Sequence, residues 1–170
     1  VQEVIVATDD ERIQAHVESF GGKVVMTNSQ HQSGTDRCYE ALQNLAESYD
    51  YVINIQGDEP FIHPDQIDSL AAILDGSIEL GTMVKVISDE ATLFNENSPK
   101  ALLSKDNHVL YFSRQTIPFL RGIPQSDWLQ HHTYYKHIGI YAYRADVLKA
   151  ITQLPVSTLE KAEALEQLRW

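Results

Sequence analysis

The sequence predicts an α/β fold built on a mainly parallel sheet with crossover helices. Two observations carry this. Three short apolar, β-branched runs recur early in the chain: Val4-Ile5-Val6-Ala7-Thr8, Val24-Val25-Met26 and Tyr51-Val52-Ile53-Asn54-Ile55. Each is followed by a stretch with helical periodicity. Strands that read as continuous apolar runs suit a buried parallel sheet, and strand–helix alternation supplies its crossovers.

Taken in order, residues 10–20 read as a helix with Ile13, Val17 and Phe20 on one face and Gly21-Gly22 ending it. Residues 35–48 read as a second helix, with Tyr39, Leu42 and Leu45 inward. Pro64 suits the first turn of a third, running through residue 74. The second half differs. Residues 80–87, 101–104, 109–113 and 138–144 are strand candidates. Residues 114–135 hold Pro118, Gly122 and Pro124 and read as an excursion or interface loop. Helices are expected at 145–152 and 158–169, the last opened by a Ser157-x-x-Glu160 capping box. No linker composition interrupts the chain, so a single domain over 1–170 is expected.

Apolar residues make up 43% of the 170, enough to supply a core and exclude disorder as the dominant state. The net charge of −11 lacks the positive field that non-specific nucleic-acid or anionic-membrane binding needs. The single cysteine, Cys38, excludes an internal disulfide framework and a cysteine-rich zinc site. No apolar run approaches the ~20 residues of a membrane helix, so no membrane insertion is expected.

Ligands of open α/β sheets bind beyond the carboxyl ends of the strands. Two acidic sequences fall there, Asp9-Asp10 and Gln56-Gly57-Asp58-Glu59-Pro60. The second is the better candidate. Gly57 permits a close turn, and one carboxylate can hold Mg²⁺ while the metal takes phosphate oxygens and water. An ordinary strand-to-loop turn would have the same composition. In Gln30-His31-Gln32-Ser33-Gly34-Thr35-Asp36-Arg37, Ser33 or Thr35 could cap the next helix, or the peptide could bind a flat heterocycle. Arg37 could instead pair with Asp36 or Glu40. On a strand, His137 and Tyr141 share a face across Gly139, a polar floor for a hydroxylated ligand or a half-exposed aromatic strand. On the last helix Glu163, Glu166 and Gln167 form one polar stripe. Lys100, Arg114 and Arg121 are scattered cations that could recognise an anion.

In this order, the stretches IVATDD, HQSGTDR, INIQGDEP, LYFSRQTIP, HIGIYAYR and LEKAEALEQLR resemble the 3-deoxy-manno-octulosonate (Kdo) cytidylyltransferase family, the CMP-Kdo synthetases, over nearly the whole chain. The resemblance implies a Rossmann-like nucleotide-diphospho-sugar transferase fold, three-layered with a mixed, mainly parallel sheet. It implies Mg²⁺-dependent transfer of CMP from CTP to the anomeric hydroxyl of Kdo, releasing pyrophosphate, for lipopolysaccharide inner-core synthesis by a cytoplasmic homodimer. By the same carry-over, Asp58 is a metal ligand and Gln56 a contact to the sugar acid, the two catalytic positions. Ser33, Gly34 and Arg37 form the cytosine pocket, and Arg121, His137, Tyr141, Glu166 and Gln167 contact the sugar acid. Arg114 and Lys100 are structural or interface candidates. A CMP-sialic acid synthetase-like enzyme and a non-catalytic nucleotide-sugar binding module are the alternatives. Two parts of the family pattern are absent from these residues: a basic, glycine-containing phosphate loop, expected before Val1, and an acidic segment with a second metal ligand, expected after Trp170. The 170 residues alone are therefore expected to turn over little.

Overall fold

The structure, a computed structural model, describes residues 1–57, 59 and 61–170. The chain divides into two compact units. The first holds Val1–Gly81 and Ile140–Gln153, the second Thr82–Gly139 and Leu154–Trp170.

In the first unit, β1 (Ile5–Thr8) and β2 (Lys23–Met26) pair in parallel, Ile5 opposite Lys23 and Thr8 opposite Met26. Helix α1 (Glu11–Ser19) crosses between them. Asp10 caps it by accepting from the Arg12 amide at 2.8 Å. Of its expected inner face only Val17 is buried, while Ile13 and Phe20 are exposed. One turn of burial is enough to seat a nine-residue helix on a two-stranded edge. Helix α2 (Gly34–Gln43) ends five residues earlier than expected, at the Asn44 cap, and buries Thr35 and Ala41.

Strand β3 (Tyr51–Ile55) leads to α3 (Pro64–Ala72), which has Pro64 in its first turn and His63 as its cap. The last half of β7 (Tyr135–Arg144) runs antiparallel to β3, with Tyr51 opposite Arg144 and Asn54 opposite Tyr141. Helix α6 (Ala145–Ile151) follows and buries Leu148 and Ile151. A Cβ at Gly81 would lie 3.3 Å from the Leu70 side chain and 3.5 Å from that of Ile73, so glycine allows α3 to pack closely there.

The second unit takes in most of β4 (Leu80–Val86), the short α4 (Glu90–Phe94) and an antiparallel pair, β5 (Lys100–Leu103) and β6 (Val109–Ser113). β5 also meets β7 antiparallel at Lys100 and Lys136. Strand β7 starts three residues before the expected 138. Sheets of both senses are thus present, as the mixed fold requires, and β7 carries much of the antiparallel share.

The stretch expected to be an excursion is folded around an aromatic centre. It contains a 3₁₀ turn, Gln125–Asp127, and α5 (Trp128–His131). Trp128 and Tyr134 are buried with Ile87 and Leu93. The polar ends of both rings are satisfied: Trp128 Nε1 donates to Ile123 O at 3.0 Å and Tyr134 Oη to Pro118 O at 2.9 Å. Burial of large rings works when their polar ends find partners.

The last helix is shorter than its periodicity suggests. Helix α7 (Thr158–Glu163) opens on the expected Ser157–Glu160 capping box but stops at Ala164, which is left-handed at φ 48°. A 3₁₀ turn, Glu166–Leu168, follows. The Arg169 guanidinium closes that turn back onto Glu160 (Nε to Oε2, 2.8 Å). A left-handed alanine carries a Cβ–carbonyl clash that glycine lacks. Ala164→Gly is therefore expected to stabilise the fold by about 0.5–1 kcal/mol, read as a higher urea midpoint with unchanged slope.

Candidate active site

In the first unit, the carboxyl ends of β1, β2 and β3 gather most of the nucleotide-side residues. Ser33 caps α2, its Oγ accepting from the Asp36 amide at 3.2 Å. Arg37, in the first turns of α2, pairs with neither Asp36 nor Glu40. Its guanidinium donates to Thr27 Oγ1 at 2.6 Å and meets Asp9 Oδ1 at 3.2 Å, groups that directly follow β2 and β1. Glu40 instead pairs with His31 and accepts from the Asn28 amide at 2.9 Å. Those two contacts, the amide first, hold its carboxyl below the usual range. Asp10 is taken up by Arg12, whose hydrogen bonds lower its carboxyl to about 2. Thus Asp9 orients a cation and Asp10 caps a helix, leaving the Gln56–Pro60 sequence as the remaining acidic candidate.

Gln56 follows β3 and is half-buried, its carbonyl accepting from the Glu59 amide at 3.1 Å. Asp58 and Pro60 lie outside the described residues. An added Cβ at Gly57 would meet nothing within 4 Å among the described residues outside its chain neighbours. Among the described residues, no three His, Cys, Asp or Glu converge as a metal site.

Tyr141, from β7, is buried and stacks on Tyr143 with ring centroids 5.9 Å apart. Tyr143 Oη lies 3.3 Å from Thr35 Oγ1, which ties this face of the sheet to the start of α2. A residue that the sequence reading passed over sits on the same face. Asn54, opposite Tyr141, is only 4% exposed, and its Nδ2 has no acceptor among the described residues. An amide inside the apolar run Val52–Ile55 was the available signal. A groove of about 720 Å³ lies at the other end of β3, among Tyr51, Gly76 and Arg144.

In the second unit, His137 is 7% exposed, edge-on to Phe112 at 4.7 Å, with Nε2 3.0 Å from Thr82 Oγ1. Burial lowers its imidazole to about 4, against an ordinary 6.5. The unfolded chain therefore takes a proton near pH 6.5 that the folded chain refuses until about pH 4. His137's contribution is complete above pH 6.5 and declines as pH falls towards 4. The decline amounts to about 2–3 kcal/mol by pH 4.5. Urea titrations at pH 7 and pH 4.5 check it: His137→Asn should shrink the difference by that amount, and an unchanged difference would refute the assignment.

Arg121 is exposed, and Gln167 is buried in the 3₁₀ turn after α7. The expected polar stripe does not form on one helix, because the helix breaks at Ala164. Glu163 turns to β6, accepting from Ser113 Oγ at 2.8 Å and from the Arg114 amide at 2.9 Å. Arg114 and Lys100 prove structural. The Arg114 side chain donates to the carbonyls of Glu163, Ala164 and Glu96 at 2.6–3.1 Å. Lys100, 1% exposed, sends Nζ to the carbonyls of Asn95, Ser98 and Arg114 at 2.7–2.9 Å. Three contacts use all three ammonium protons, so neither the geometry nor the burial leaves Lys100 for a ligand.

Alternating strands and helices, with polar groups collected where the first three strands end, are the layout of an α/β nucleotide-binding protein. The family profile described as cytidylyltransferase matches residues 1–170, and the chain belongs to that family. It is 59% identical over 171 residues to the 3-deoxy-manno-octulosonate cytidylyltransferase of Cytophaga hutchinsonii, covering 100% of this chain and 68% of that protein. It is likewise 59% identical over 172 residues to the protein of the same name from Parabacteroides distasonis, covering 98% of this chain and 68% of the relative. Among solved structures it is similar to CMP:2-keto-3-deoxy-manno-octonic acid synthetase complexed with CTP. That match has a TM-score of 0.89 at 42% identity, and covers 99% of this chain and 67% of the other. The chain thus has the fold of that synthetase.

Proposed function

We propose that this chain acts as a single domain in transferring CMP from CTP to Kdo. The observation that carries the reading is the 59% identity, over the full chain, to relatives named for that reaction. In the step itself, an anomeric oxygen of the sugar acid bonds to the α-phosphorus of CTP. The bond from that phosphorus to the bridging oxygen breaks, pyrophosphate leaves with the electron pair, and the attacking hydroxyl gives up its proton. The product is the activated sugar used in lipopolysaccharide inner-core synthesis.

Catalysis of such a transfer is chiefly positioning and charge stabilisation. Ser33, Gly34 and Arg37 are proposed to hold the cytosine. Arg37 is suited to this because Thr27 and Asp9 fix its direction in advance. Gln56, Arg121, His137, Tyr141, Glu166 and Gln167 are proposed to hold the sugar acid. The His137 imidazole, whose Nε2 lies 3.0 Å from Thr82 Oγ1, is of a type suited to hydroxyl recognition. Such sites reject analogues that leave a buried polar group unpaired.

A divalent cation fits the chemistry of the donors that follow β3 in sequence. Asp58 is a carboxylate in sequence after β3, the exposed Glu59 is another, and Asp9 and Asp10 are engaged elsewhere. Asp58 is proposed to hold Mg²⁺, which when bound offsets the phosphate charge and stabilises charge developing at phosphorus. No helix among the described residues is long and apolar enough to cross a membrane, and the enzyme is proposed to be cytoplasmic. A homodimer is also proposed. Phe119, 71% exposed although its ring meets Trp128, with Leu110 and Phe94, supplies apolar surface for it.

The test grafts residues 1–170 into the Cytophaga hutchinsonii relative in exchange for the stretch they match. Pyrophosphate release from CTP with Mg²⁺ is followed with Kdo, with sialic acid and with neither. Release that depends on Kdo is the expected result. Release with sialic acid instead, or no release at all, would overturn the proposal.

A further inference from the structure

Asn54 is the one described residue whose buried amide nitrogen lies at the start of a helix with nothing to donate to. It is 4% exposed, and Nδ2 has no acceptor among the described residues. A buried donor left unmet is destabilising, and native folds rarely keep one without a use. Its position suggests the use. Nδ2 lies 3.6 Å from where a Cβ on Gly34 would stand, and, apart from its chain neighbours and the backbone of α2 itself, no other described atom comes within 4 Å of that point. Gly34 is the first residue of the ten-residue helix α2. The bare glycine therefore leaves an approach to the amide from the positive end of a helix. Both features favour an oxygen carrying negative charge or partial charge. The strand face beneath is fixed by the Asn54–Tyr141 pairing and the Thr35–Tyr143 hydroxyl contact.

We propose that Asn54 is a further nucleotide-binding residue, its Nδ2 donating to an acceptor oxygen of the nucleotide that lies over the start of α2. This rests on the cytidylyltransferase reading above and adds to it a contact on the strand floor, beneath Ser33 and Gly34. The nucleotide is preferred over the sugar acid because the approach is made by Gly34 and α2, the elements assigned to the nucleotide.

Two variants of the grafted enzyme test it. Asn54→Leu keeps most of the volume and removes the donor. Gly34→Ala leaves Asn54 in place but sets a methyl against Nδ2 at ordinary contact distance. Both should raise the KM for CTP at least tenfold and change the KM for Kdo less than threefold at saturating CTP. Asn54→Leu should melt at the same temperature as the parent or higher, since it removes an unmet buried donor. A KM for CTP within twofold of the parent in either variant overturns the proposal. So does a rise confined to the KM for Kdo, or a lowered melting temperature with CTP kinetics intact, which would mark a purely structural amide. If the unsubstituted graft shows no Kdo-dependent release, the enzyme reading fails instead, and the two failures are distinct.

Discussion

Lys100→Met is expected to destabilise the protein by about 4 kcal/mol, the largest stability effect of any single substitution considered for the second unit. The methionine can occupy the path of the lysine stem, so packing is largely kept. What disappears is the ammonium at the meeting point of three carbonyls, those of Asn95, Ser98 and Arg114. These belong to the turn after α4 and to the end of β6, and the lysine itself sits at the start of β5. Each hydrogen bond to a charged donor contributes roughly 1.5–3 kcal/mol, and each acceptor stranded without water costs about as much. Against this stands the desolvation of the ammonium, which also lowers the Lys100 pKa below its ordinary 10.5. The balance still leaves a loss that is large beside the ~5–15 kcal/mol of a typical domain. Lys100→Arg should not rescue it, because a planar guanidinium cannot direct three donors to carbonyls converging on one point. Equilibrium urea unfolding measures the loss. A Lys100→Met protein that unfolds like the parent but binds CTP or Kdo poorly would return Lys100 to ligand recognition.

That outcome also marks what the sequence could disclose. The alternating elements from β1 to α3 were legible because each rests on a local signal: an apolar β-branched run, Gly21 after α1, Pro64 at the start of α3. The Ser157–Glu160 box was legible for the same reason. The end of α7 was not. No glycine or proline marks Ala164, and the stop is made from outside the helix by the Arg114 side chain on the carbonyls of Glu163 and Ala164. Helix α4 escaped notice because five residues give no periodicity. It is held by the Asp89 cap and by Leu93 in the Trp128 cluster. The cations show the limit most clearly. Lys100, Arg114 and Arg121 read alike as isolated charges, yet the first two bind carbonyls and only Arg121 is exposed. Whether a charge meets a carbonyl or a ligand depends on chain segments distant in sequence. The motif residues, by contrast, were legible only as a pattern resembling a family. The geometry that surrounds them, such as Asp9 and Thr27 fixing Arg37, required the fold.

Asp58→Asn is expected to lower Kdo-dependent pyrophosphate release from the grafted enzyme by about 10²–10³-fold, with little change in melting temperature. The substitution keeps the side chain's shape and removes the charge that would hold a cation among phosphate oxygens, so the effect belongs to turnover rather than folding. The half-saturating Mg²⁺ concentration should rise with it. The other acidic pair, Asp9 and Asp10 directly after β1, supplies the control. Asp10→Ala removes the α1 cap and the Arg12 contact, and should weaken the fold while leaving turnover within about threefold. Asp9→Asn frees Arg37 from its partner and should act on the KM for CTP rather than on the Mg²⁺ requirement. The three carboxylates are thus expected to separate into metal dependence, helix stability and nucleotide affinity. If Asp58→Asn leaves the Mg²⁺ titration unmoved while Asp9→Asn or Asp10→Ala shifts it, the cation belongs to the β1 end, and the carry-over of the metal ligand to Asp58 is wrong.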